Sequence, residues 1–352
     1  MRESAFTAVV FTLASYSYYF IAFWGVEDHF IEGPLKDYMT GPFVHIELLL
    51  VSILFGVMIG VINRITETPQ LRRRPAVFVV LFRTSLYLVS LVIVAAIVML
   101  FFVQFIFSIE KILQMFKTIT PQYGISFIIW IILVVGAINF LLEIERIIGQ
   151  GNMWRLFMGM YRRPIIEDRI FLFMDLKGST KLAEKLGNQQ YSDMIQECYR
   201  DLTGIVMRYD ATIYQYVGDE VVLCWPDIEK QTKNAVKTFF SYQKNLFSKK
   251  DYYQKKFGEI PEFRGGISAG KVTVSEVGDV KREIVYHGDV LNTAARLLEL
   301  CKTRDDRLIV SRDVGLALVN DKEIIHDWHE KVNLRGKSEP VEAFGLSLKE
   351  QS

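Results

Sequence analysis

The sequence has few cysteines and no surplus of either charge. Its 352 residues include three cysteines, and 41 Lys and Arg residues stand against 40 Asp and Glu residues, for a formal net charge of +1. Cys198, Cys224 and Cys301 lie too far apart in sequence for a zinc-knuckle or redox spacing. We therefore expect three unlinked thiols, as is usual in a reducing compartment. The net charge by itself indicates no class of partner.

The sequence also lacks internal repeats and low-complexity tracts, and it gives little indication of a nucleic-acid partner. Residues 233–256 do interleave lysines with aromatic side chains, a combination that can bind nucleic acid. Asp251 and an apolar stripe at helical spacing instead favour a core-packed helix with a solvated face. We expect no nucleic-acid partner.

Charged residues are nearly missing from four long apolar stretches in the first half of the chain. A helix needs about 20 largely apolar residues to cross a bilayer, and each stretch is near or above that length. The stretches are residues 5–24, 43–62, 77–107 and 125–142. The sequence therefore predicts an N-terminal four-helix transmembrane domain over residues 1–142, with the lipid bilayer as its partner. We expect Arg83, in the third stretch, to extend to the cytoplasmic interface.

Basic residues mark one side of these spans. The loop after the second span and the segment after the fourth are rich in arginine, whereas the loop after the first span is acidic. The basic residues are Arg64, Arg72, Arg73, Arg74, Arg146, Arg155, Arg162 and Arg163, and the acidic ones are Glu27, Asp28, Glu32 and Asp37. Because basic loops stay in the cytoplasm, we expect a multi-pass protein of the cell inner (plasma) membrane with both termini cytoplasmic. His45 and Glu47, near the outer end of the second span, are either ligand-binding groups or hydrated interface residues.

The fourth span continues into an amphipathic segment. Residues 143–161 carry apolar side chains at helical spacing, Gly149 and Gly151 interrupt them, and Pro164 ends the pattern. We interpret residues 143–164 as a cytoplasmic linker helix. It either contacts the same segment of a second subunit or packs on its own domain.

Strands alternate with helices after residue 165, and hairpin-like pairs also occur, which predicts an α+β sheet with helices on one face. Two predicted strands end on a carboxylate: Asp175 in Phe171-Leu-Phe-Met-Asp-Leu-Lys-Gly-Ser-Thr180 and Asp219 in Tyr214-Gln-Tyr-Val-Gly-Asp-Glu220. Mg²⁺ prefers oxygen ligands and is usually held by one or two carboxylates plus substrate phosphates. Two such strand ends side by side would form a site for a metal–triphosphate complex.

Two further segments carry groups suited to phosphate chemistry. Asn292 and Arg296 stand four residues apart, so both lie on one face of a predicted helix. An amide and a guanidinium aimed at one point suit an anion whose charge develops during a reaction. Lys337 follows Gly336 in a turn, where its ammonium could reach a phosphate. Each signal alone is more typical of solvated surface residues, and only the combination indicates a site.

Taken together and in this order, the segments resemble the catalytic domain of the class III nucleotidyl (adenylate and guanylate) cyclases, in their membrane-anchored bacterial form. The resemblance covers about residues 165–346 and identifies residues 165–352 as the catalytic domain, which implies an α+β ferredoxin-like fold. Its motifs are Phe173-Met-Asp-Leu-Lys-Gly-Ser-Thr, Val217-Gly-Asp-Glu, Phe263-Arg-Gly-Gly-Ile-Ser-Ala-Gly-Lys-Val, Gly288-Asp-Val-Leu-Asn-Thr-Ala-Ala-Arg and Leu334-Arg-Gly-Lys-Ser-Glu-Pro-Val.

The resemblance implies a role for each residue of the site. Two Mg²⁺ or Mn²⁺ ions would be bound by Asp175, Asp219 and the carbonyl of Leu176. The triphosphate would lie along Gly178, Ser179 and Thr180. Asn292 would orient the ribose, Arg296 would stabilise the pentavalent phosphorus, and Lys337 would hold the terminal phosphates. The metal carboxylates and the Asn/Arg pair would come from different subunits of a head-to-tail homodimer.

The chain departs from the family at the base pocket. Members that make cyclic AMP usually carry Lys where this chain has Gln215, and Asp or Thr where it has Val285. Gln215 can both donate and accept hydrogen bonds, so it could read adenine or guanine. ATP is favoured over GTP as the substrate on the base rate of the family in bacteria. The alternative is a receptor-like membrane protein whose cyclase-type domain binds a nucleotide without turning it over.

Overall fold

The structure is a computed structural model that describes residues 2–23, 34–66, 68, 71, 74–105, 109–110, 113–114, 121–148 and 152–349. The chain divides into two compact units, Met1–Ile148 and Gly149–Ser352. Several residues on which the predicted orientation depends lie outside the described residues. They are Glu27, Asp28, Glu32, Arg72 and Arg73.

The N-terminal unit is built of helices. They are α1 (Arg2–Phe23), α2 (Pro34–Met39), α3 (Pro42–Thr66), α4 (Ala76–Phe105) and α5 (Pro121–Ile148). Within the described residues, three segments are long and apolar enough to cross a membrane: Pro42–Thr66, Ala76–Gln104 and Ile125–Glu145. The apolar part of α1, Ala5–Ile21, is shorter. Three candidate spans are thus present, which suggests membrane association, and the fourth stays a prediction.

A polar cluster joins three of these helices. Arg83 of α4 is only 4 % exposed, and its Nε donates a hydrogen bond to Thr66 Oγ1 of α3 (3.1 Å). Its guanidinium also forms an ion pair with Glu143 of α5 (3.5 Å). Arg83 is therefore paired within the helix bundle, and its expected position at the cytoplasmic interface stays a prediction. Its charge is balanced inside the unit, because a buried cation is tolerated only when it is paired and hydrogen-bonded.

The C-terminal unit is built around a mixed sheet of eight strands among the described residues. Their order is β2-β3-β1-β4-β6-β8-β7, with β5 paired to β4. The strands are β1 (Ile165–Leu176), β2 (Thr212–Val217), β3 (Glu220–Pro226), β4 (Phe263–Val277), β5 (Glu283–His287), β6 (Leu308–Ser311), β7 (Ile324–Val332) and β8 (Val341–Leu348). The β4–β6 pair is parallel and the other pairs are antiparallel.

The helices of this unit cover both faces of the sheet. The described helices of the unit are α6 (Asn152–Phe157), α7 (Ser179–Arg208), α8 (Ile228–Ser248), α9 (Lys250–Phe257), α10 (Asp289–Arg304) and α11 (Arg312–Ala317). Helices α7, α8 and α9 share one hydrophobic core with alternate residues of β1, among them Ile170 and Leu172. Helix α10 packs with Phe171 and other residues of the opposite face. The prediction of helices on one face only is therefore wrong.

Two adjacent glycines in β4 show why both faces can be covered closely. A Cβ at Gly265 would meet the Phe239 ring of α8 at 2.9 Å, whereas a Cβ at Gly266 would clash with the main chain of α10 at Ala294 and Leu298. Successive residues of a strand point to opposite faces. The glycine pair therefore allows a helix to approach the central strands from each side.

Candidate active site

Asp175 lies at the end of the central strand β1. It is 7 % exposed, and the register pairs it with Glu220 of β3 and Arg264 of β4. Because residues two apart in a strand share a face, Asp175 lies on the same face as Phe171, which is the face covered by α10. The apolar run of β1 thus delivers one carboxylate to the end of the sheet.

Asp219 lies close to Asp175. It occupies the β2–β3 turn directly after Gly218, whose φ of 62° is a left-handed conformation that glycine adopts without strain. Burial raises the pKa of Asp175, the ammonium of Lys302 opposes that rise, and the neighbouring Asp219 carboxylate adds to it. Burial and the Asp175 charge also raise the pKa of Glu220. The fold thus holds three acidic groups together at an electrostatic cost, which a divalent cation would relieve.

These donors suit a hard divalent cation. Carboxylate and carbonyl oxygens are the ligands that Mg²⁺ and Mn²⁺ prefer, and the main-chain carbonyl of Leu176 follows Asp175 directly. No group of three or more His, Cys, Asp or Glu residues suited to a metal occurs among the described residues. A cation held by Asp175 and Asp219 would therefore complete its coordination with backbone oxygens, water or bound phosphates.

The turn between β1 and α7 supplies main-chain amides next to the acids. Gly178 has a φ of 70° and precedes Ser179, the first residue of α7. The turn is anchored by Lys177, whose amide donates to the Glu262 carbonyl oxygen at 2.8 Å. The first amides of a helix have no acceptor within the helix, so the start of α7 at Ser179 and Thr180 can bind a phosphate.

Asn292 and Arg296 lie one helical turn apart on α10. Asn292 is exposed, and the guanidinium of the partly exposed Arg296 forms an ion pair with Glu299 at 2.7 Å. The contact at Gly266 fixes the helix on the sheet. The two groups therefore share one face of α10, as their spacing predicts.

Lys337 lies at the N-terminal end of the same helix. Its ammonium forms an ion pair with Asp289, the first residue of α10. Gly336, with a φ of 79°, forms the turn that presents it. Lys337 also borders a cleft of about 320 Å³, whose walls include Ser268 and Thr293.

The acids and Lys337 lie at opposite ends of α10. The ammonium of Lys302, in the last turn of the helix, forms an ion pair with Asp175, whereas Asp289 in the first turn pairs with Lys337. From residue 289 to residue 302 the helix rises about 20 Å along its axis, at 1.5 Å per residue. One chain therefore keeps the acids apart from Lys337.

The two base-pocket positions lie in one region of the sheet. Gln215 is exposed on β2, and Val285 is partly buried on β5, where it pairs with Ser275. Their sequence neighbours Tyr214 and Tyr286 are in contact, with ring centroids 5.0 Å apart. The sheet thus brings together two strands that are far apart in sequence.

Sequence reasoning missed the partners of the charged site residues. In this structure Asp175, Lys337 and Arg296 each pair with an opposite charge of the same chain. The missed partners are Lys302, Asp289 and Glu299. Lysine in the last turn and aspartate in the first are charges that any helix favours, so they carry no distinctive signal.

Comparisons with known proteins identify the family of this domain. The family model described as "Adenylate and Guanylate cyclase catalytic domain" matches residues 165–347. The chain is 34 % identical over 180 residues to Adenylate cyclase 2 of Rhizobium meliloti (strain 1021), covering 51 % of this chain and 50 % of that protein. It is 24 % identical over 214 residues to the terminal-differentiation specific adenylate cyclase of Dictyostelium discoideum, covering 58 % of this chain and 10 % of that protein. The chain thus spans half or less of the length of these curated relatives.

A solved structure shares the fold. A bacterial light-regulated adenylyl cyclase superposes with a TM-score of 0.51 at 18 % sequence identity, over 61 % of this chain and 65 % of that chain. At this level of sequence identity, the structural similarity shows the fold alone. The C-terminal unit therefore has the fold of that cyclase, and the resemblance found in the motifs extends to the tertiary structure.

Proposed function

Because the chain belongs to the family of adenylate and guanylate cyclase catalytic domains, we propose that it converts ATP, or less readily GTP, to the 3′,5′-cyclic nucleotide. In this reaction the ribose 3′-hydroxyl oxygen forms a bond to the α-phosphorus. The bond from that phosphorus to the bridging oxygen breaks, pyrophosphate leaves with the electron pair, and the hydroxyl proton passes to solvent. The relatives named adenylate cyclases support ATP as the substrate.

The acid pair Asp175 and Asp219, with the carbonyl of Leu176, would hold two Mg²⁺ or Mn²⁺ ions. Bound there, such ions lower the pKa of the attacking hydroxyl and neutralise the leaving pyrophosphate. The protein's part is to hold the two carboxylates side by side at the end of β1 and the β2–β3 turn. The amides of Gly178, Ser179 and Thr180 would orient the triphosphate.

The groups on α10 and the turn before β8 would act on the reacting nucleotide. We assign orientation of the ribose to Asn292 and stabilisation of the pentavalent phosphorus to Arg296. An Arg guanidinium offers several fixed donors to an oxyanion, which suits charge that develops in the transition state. Lys337 would hold the terminal phosphates.

The observation that supports this proposal best is the distance along α10 between its Lys302 end, which contacts the acid Asp175, and its other end, where Lys337 lies. About 20 Å of helix separates the Lys302 position from the Asp289 position, where Lys337 lies, and about 15 Å separates it from Asn292. We infer that one complete site would take its acids from one chain and the α10 groups with Lys337 from another. A head-to-tail homodimer satisfies this requirement twice. We therefore propose two equivalent composite sites per dimer.

The base would be read at Gln215 and Val285. The exposed amide of Gln215 can match either purine, because it offers both a donor and an acceptor. Val285 contributes no hydrogen bond from its side chain. We propose ATP as the preferred substrate with weak discrimination against GTP.

The rest of the chain would anchor and regulate this enzyme. We propose four membrane spans in residues 1–142, a cytoplasmic linker in residues 143–164 and a catalytic domain in residues 165–352. Both termini would be cytoplasmic in a multi-pass plasma-membrane protein. The three candidate spans and the arginines on one side of them support this arrangement.

The test is a product assay on the full chain, purified in detergent and shown to be dimeric. With Mn²⁺ and ATP or GTP, mass spectrometry should detect the cyclic nucleotide and an equal amount of pyrophosphate. Asp175→Asn should abolish both products. Asp201→Asn is a matched control, because Asp201 has a similar side-chain exposure, 12 % against 10 %, and also pairs with a lysine. A folded dimer that forms no product from either nucleotide would refute the proposal.

A second candidate function is nucleotide binding without turnover. The unusual pair Gln215 and Val285 favours it, since neither reproduces the usual base-reading residues. In that case ATP would bind without product, and Arg296→Ala would leave the binding affinity unchanged. The presence of Asp175, Asp219 and Arg296 favours the enzyme.

A further inference from the structure

Lys302 was not among the residues singled out from the sequence, yet its ammonium contacts a proposed metal ligand. It forms an ion pair with Oδ2 of Asp175, whose side chain is 10 % exposed, while the Lys302 side chain is 49 % exposed. The lysine stands in the last turn of α10, and the main-chain carbonyl of Lys302 accepts from Arg264 at 3.5 Å. The buried Asp175 carboxylate and the main chain of Lys302 are therefore held by the fold, whereas the Lys302 side chain is open to solvent.

The other cations at this corner of the sheet have different partners. Lys177 pairs with Asp305 (3.1 Å) and Glu262 (3.6 Å), and the guanidinium of Arg264 also pairs with Asp305. Among the described residues, Lys302 is the cation that forms an ion pair with Asp175. It thereby supplies a positive charge to an acid cluster that also contains Asp219 and Glu220.

We propose that Lys302 is an internal substitute for the metal: in the metal-free chain it neutralises Asp175, and a divalent cation must displace it to bind. This inference rests on the metal site of the proposed function. The exposed lysine side chain has room to swing into solvent, since a flexible four-carbon stem carries its charge. Displacement exchanges one unit of positive charge on Asp175 for two. The lysine would thus keep the acid pair in place without metal and lower its affinity for metal.

The first test measures Mn²⁺ binding directly. Titration of the full chain in detergent, with Mn²⁺ alone and no nucleotide, can be followed by the electron paramagnetic resonance signal of the free ion. Lys302→Met should tighten binding about threefold to tenfold, the effect of removing one neighbouring unit charge at a partly exposed site. Lys302→Arg keeps the charge and should bind Mn²⁺ as the natural chain does.

Lys249→Met is the matched control. Lys249 is 45 % exposed and pairs with Asp201, whose side chain is 12 % exposed, so the substitution removes the same charge from a similar ion pair elsewhere in the unit. It should leave Mn²⁺ binding unchanged. Unchanged or weaker binding in Lys302→Met, or equal tightening in both variants, would overturn the proposal.

The second test separates displacement from a general effect of charge. Acetylation of Lys302 by a water-soluble active ester, followed by peptide mass spectrometry, should become severalfold faster when Mn²⁺ is added to the natural chain. In Asp175→Asn the rate should already be high and should not respond to Mn²⁺. An acetylation rate that does not change when Mn²⁺ is added to the natural chain would overturn the proposal.

The outcomes distinguish this inference from the proposed function. Both measurements are made without nucleotide and do not depend on turnover. A chain that makes cyclic nucleotide, but whose Lys302→Met variant binds Mn²⁺ no more tightly, refutes the role of Lys302 alone. A chain that shows both Mn²⁺ effects but makes no product refutes the enzymatic function and leaves the role of Lys302 supported.

Discussion

The proposed composite site leads to a specific prediction about mixed dimers. Asp175→Ala removes a proposed metal ligand, and Arg296→Ala removes the group proposed to stabilise the phosphorus. Each homodimer should lose activity by a factor of at least about 100, the usual effect of removing one transition-state donor. A heterodimer of the two variants, however, contains one site with every group intact. It should therefore show about half the activity of the natural dimer, because a symmetric dimer has two equivalent sites.

The magnitude follows from the geometry of α10. The Lys302 end of the helix contacts Asp175, and Asn292 lies ten residues earlier, about 15 Å along the axis. A reacting phosphorus must lie within hydrogen-bonding distance of both sets of groups at once. No movement of side chains alone closes such a gap. The intact site of the proposed heterodimer should therefore take its acids from one chain and Asn292 from the other, and Arg296, on the same face of α10 as Asn292, should come with it.

The assay uses two chains with different affinity tags, expressed together and purified through both tags in turn. The matched control joins the double variant Asp175→Ala/Arg296→Ala to a natural chain. That dimer carries the same two substitutions, but each of its sites lacks one group, so it should be nearly inactive. The opposite pattern, with an inactive first heterodimer and a half-active control, would show that each chain builds its own site and would refute the reasoning.

Three further predictions concern stability and packing. Gly266→Val should clash with the main chain of α10 and lower both the melting temperature and the cyclase activity, measured by thermal unfolding and product formation. Arg83→Met should destabilise the chain in detergent by about 3 kcal/mol, because it leaves Glu143 without that cation, and Arg83→Met/Glu143→Met should recover most of the loss. Burial raises the pKa of Asp175, so the fold disfavours the ionised carboxylate. Asp175→Asn should therefore raise the melting temperature of the metal-free chain at neutral pH. This gain should shrink at lower pH, because acidification protonates the natural Asp175.

Local patterns in the sequence predicted much of the C-terminal unit. The apolar run before Asp175 became β1, and the Gly-Asp pair at residues 218–219 became the β2–β3 turn. Gly187, with non-helical dihedral angles, divides α7. These features depend on periodicity and on the conformational freedom of glycine, which act over a few residues. The family motifs lie in the same segments and indicate which of their side chains are candidates for the chemistry.

The prediction of helices on one face of the sheet was wrong, because local patterns do not contain that information. Periodicity shows that a helix has an apolar face, but it does not show which side of a sheet that face covers. The position of α10 depends on Gly266, where the missing side chain lets the helix lie directly on the strand. Arg83 shows the same limit in the N-terminal unit: the sequence presents a lone cation in an apolar stretch, and only the packing of three helices supplies Thr66 and Glu143 as its partners.

The sequence by itself determined which residues of this protein are candidates for the chemistry: the acids at strand ends, the amide and guanidinium one helical turn apart, and the lysine of a glycine turn. Only the tertiary structure decided how they are grouped. It brought Asp175 next to Asp219 and Lys302, and it held Lys337 at the other end of α10. The physical reason is that a helix is a rigid spacer of 1.5 Å per residue. Its two ends contact different parts of the sheet, and that choice depends on packing between segments far apart in the chain.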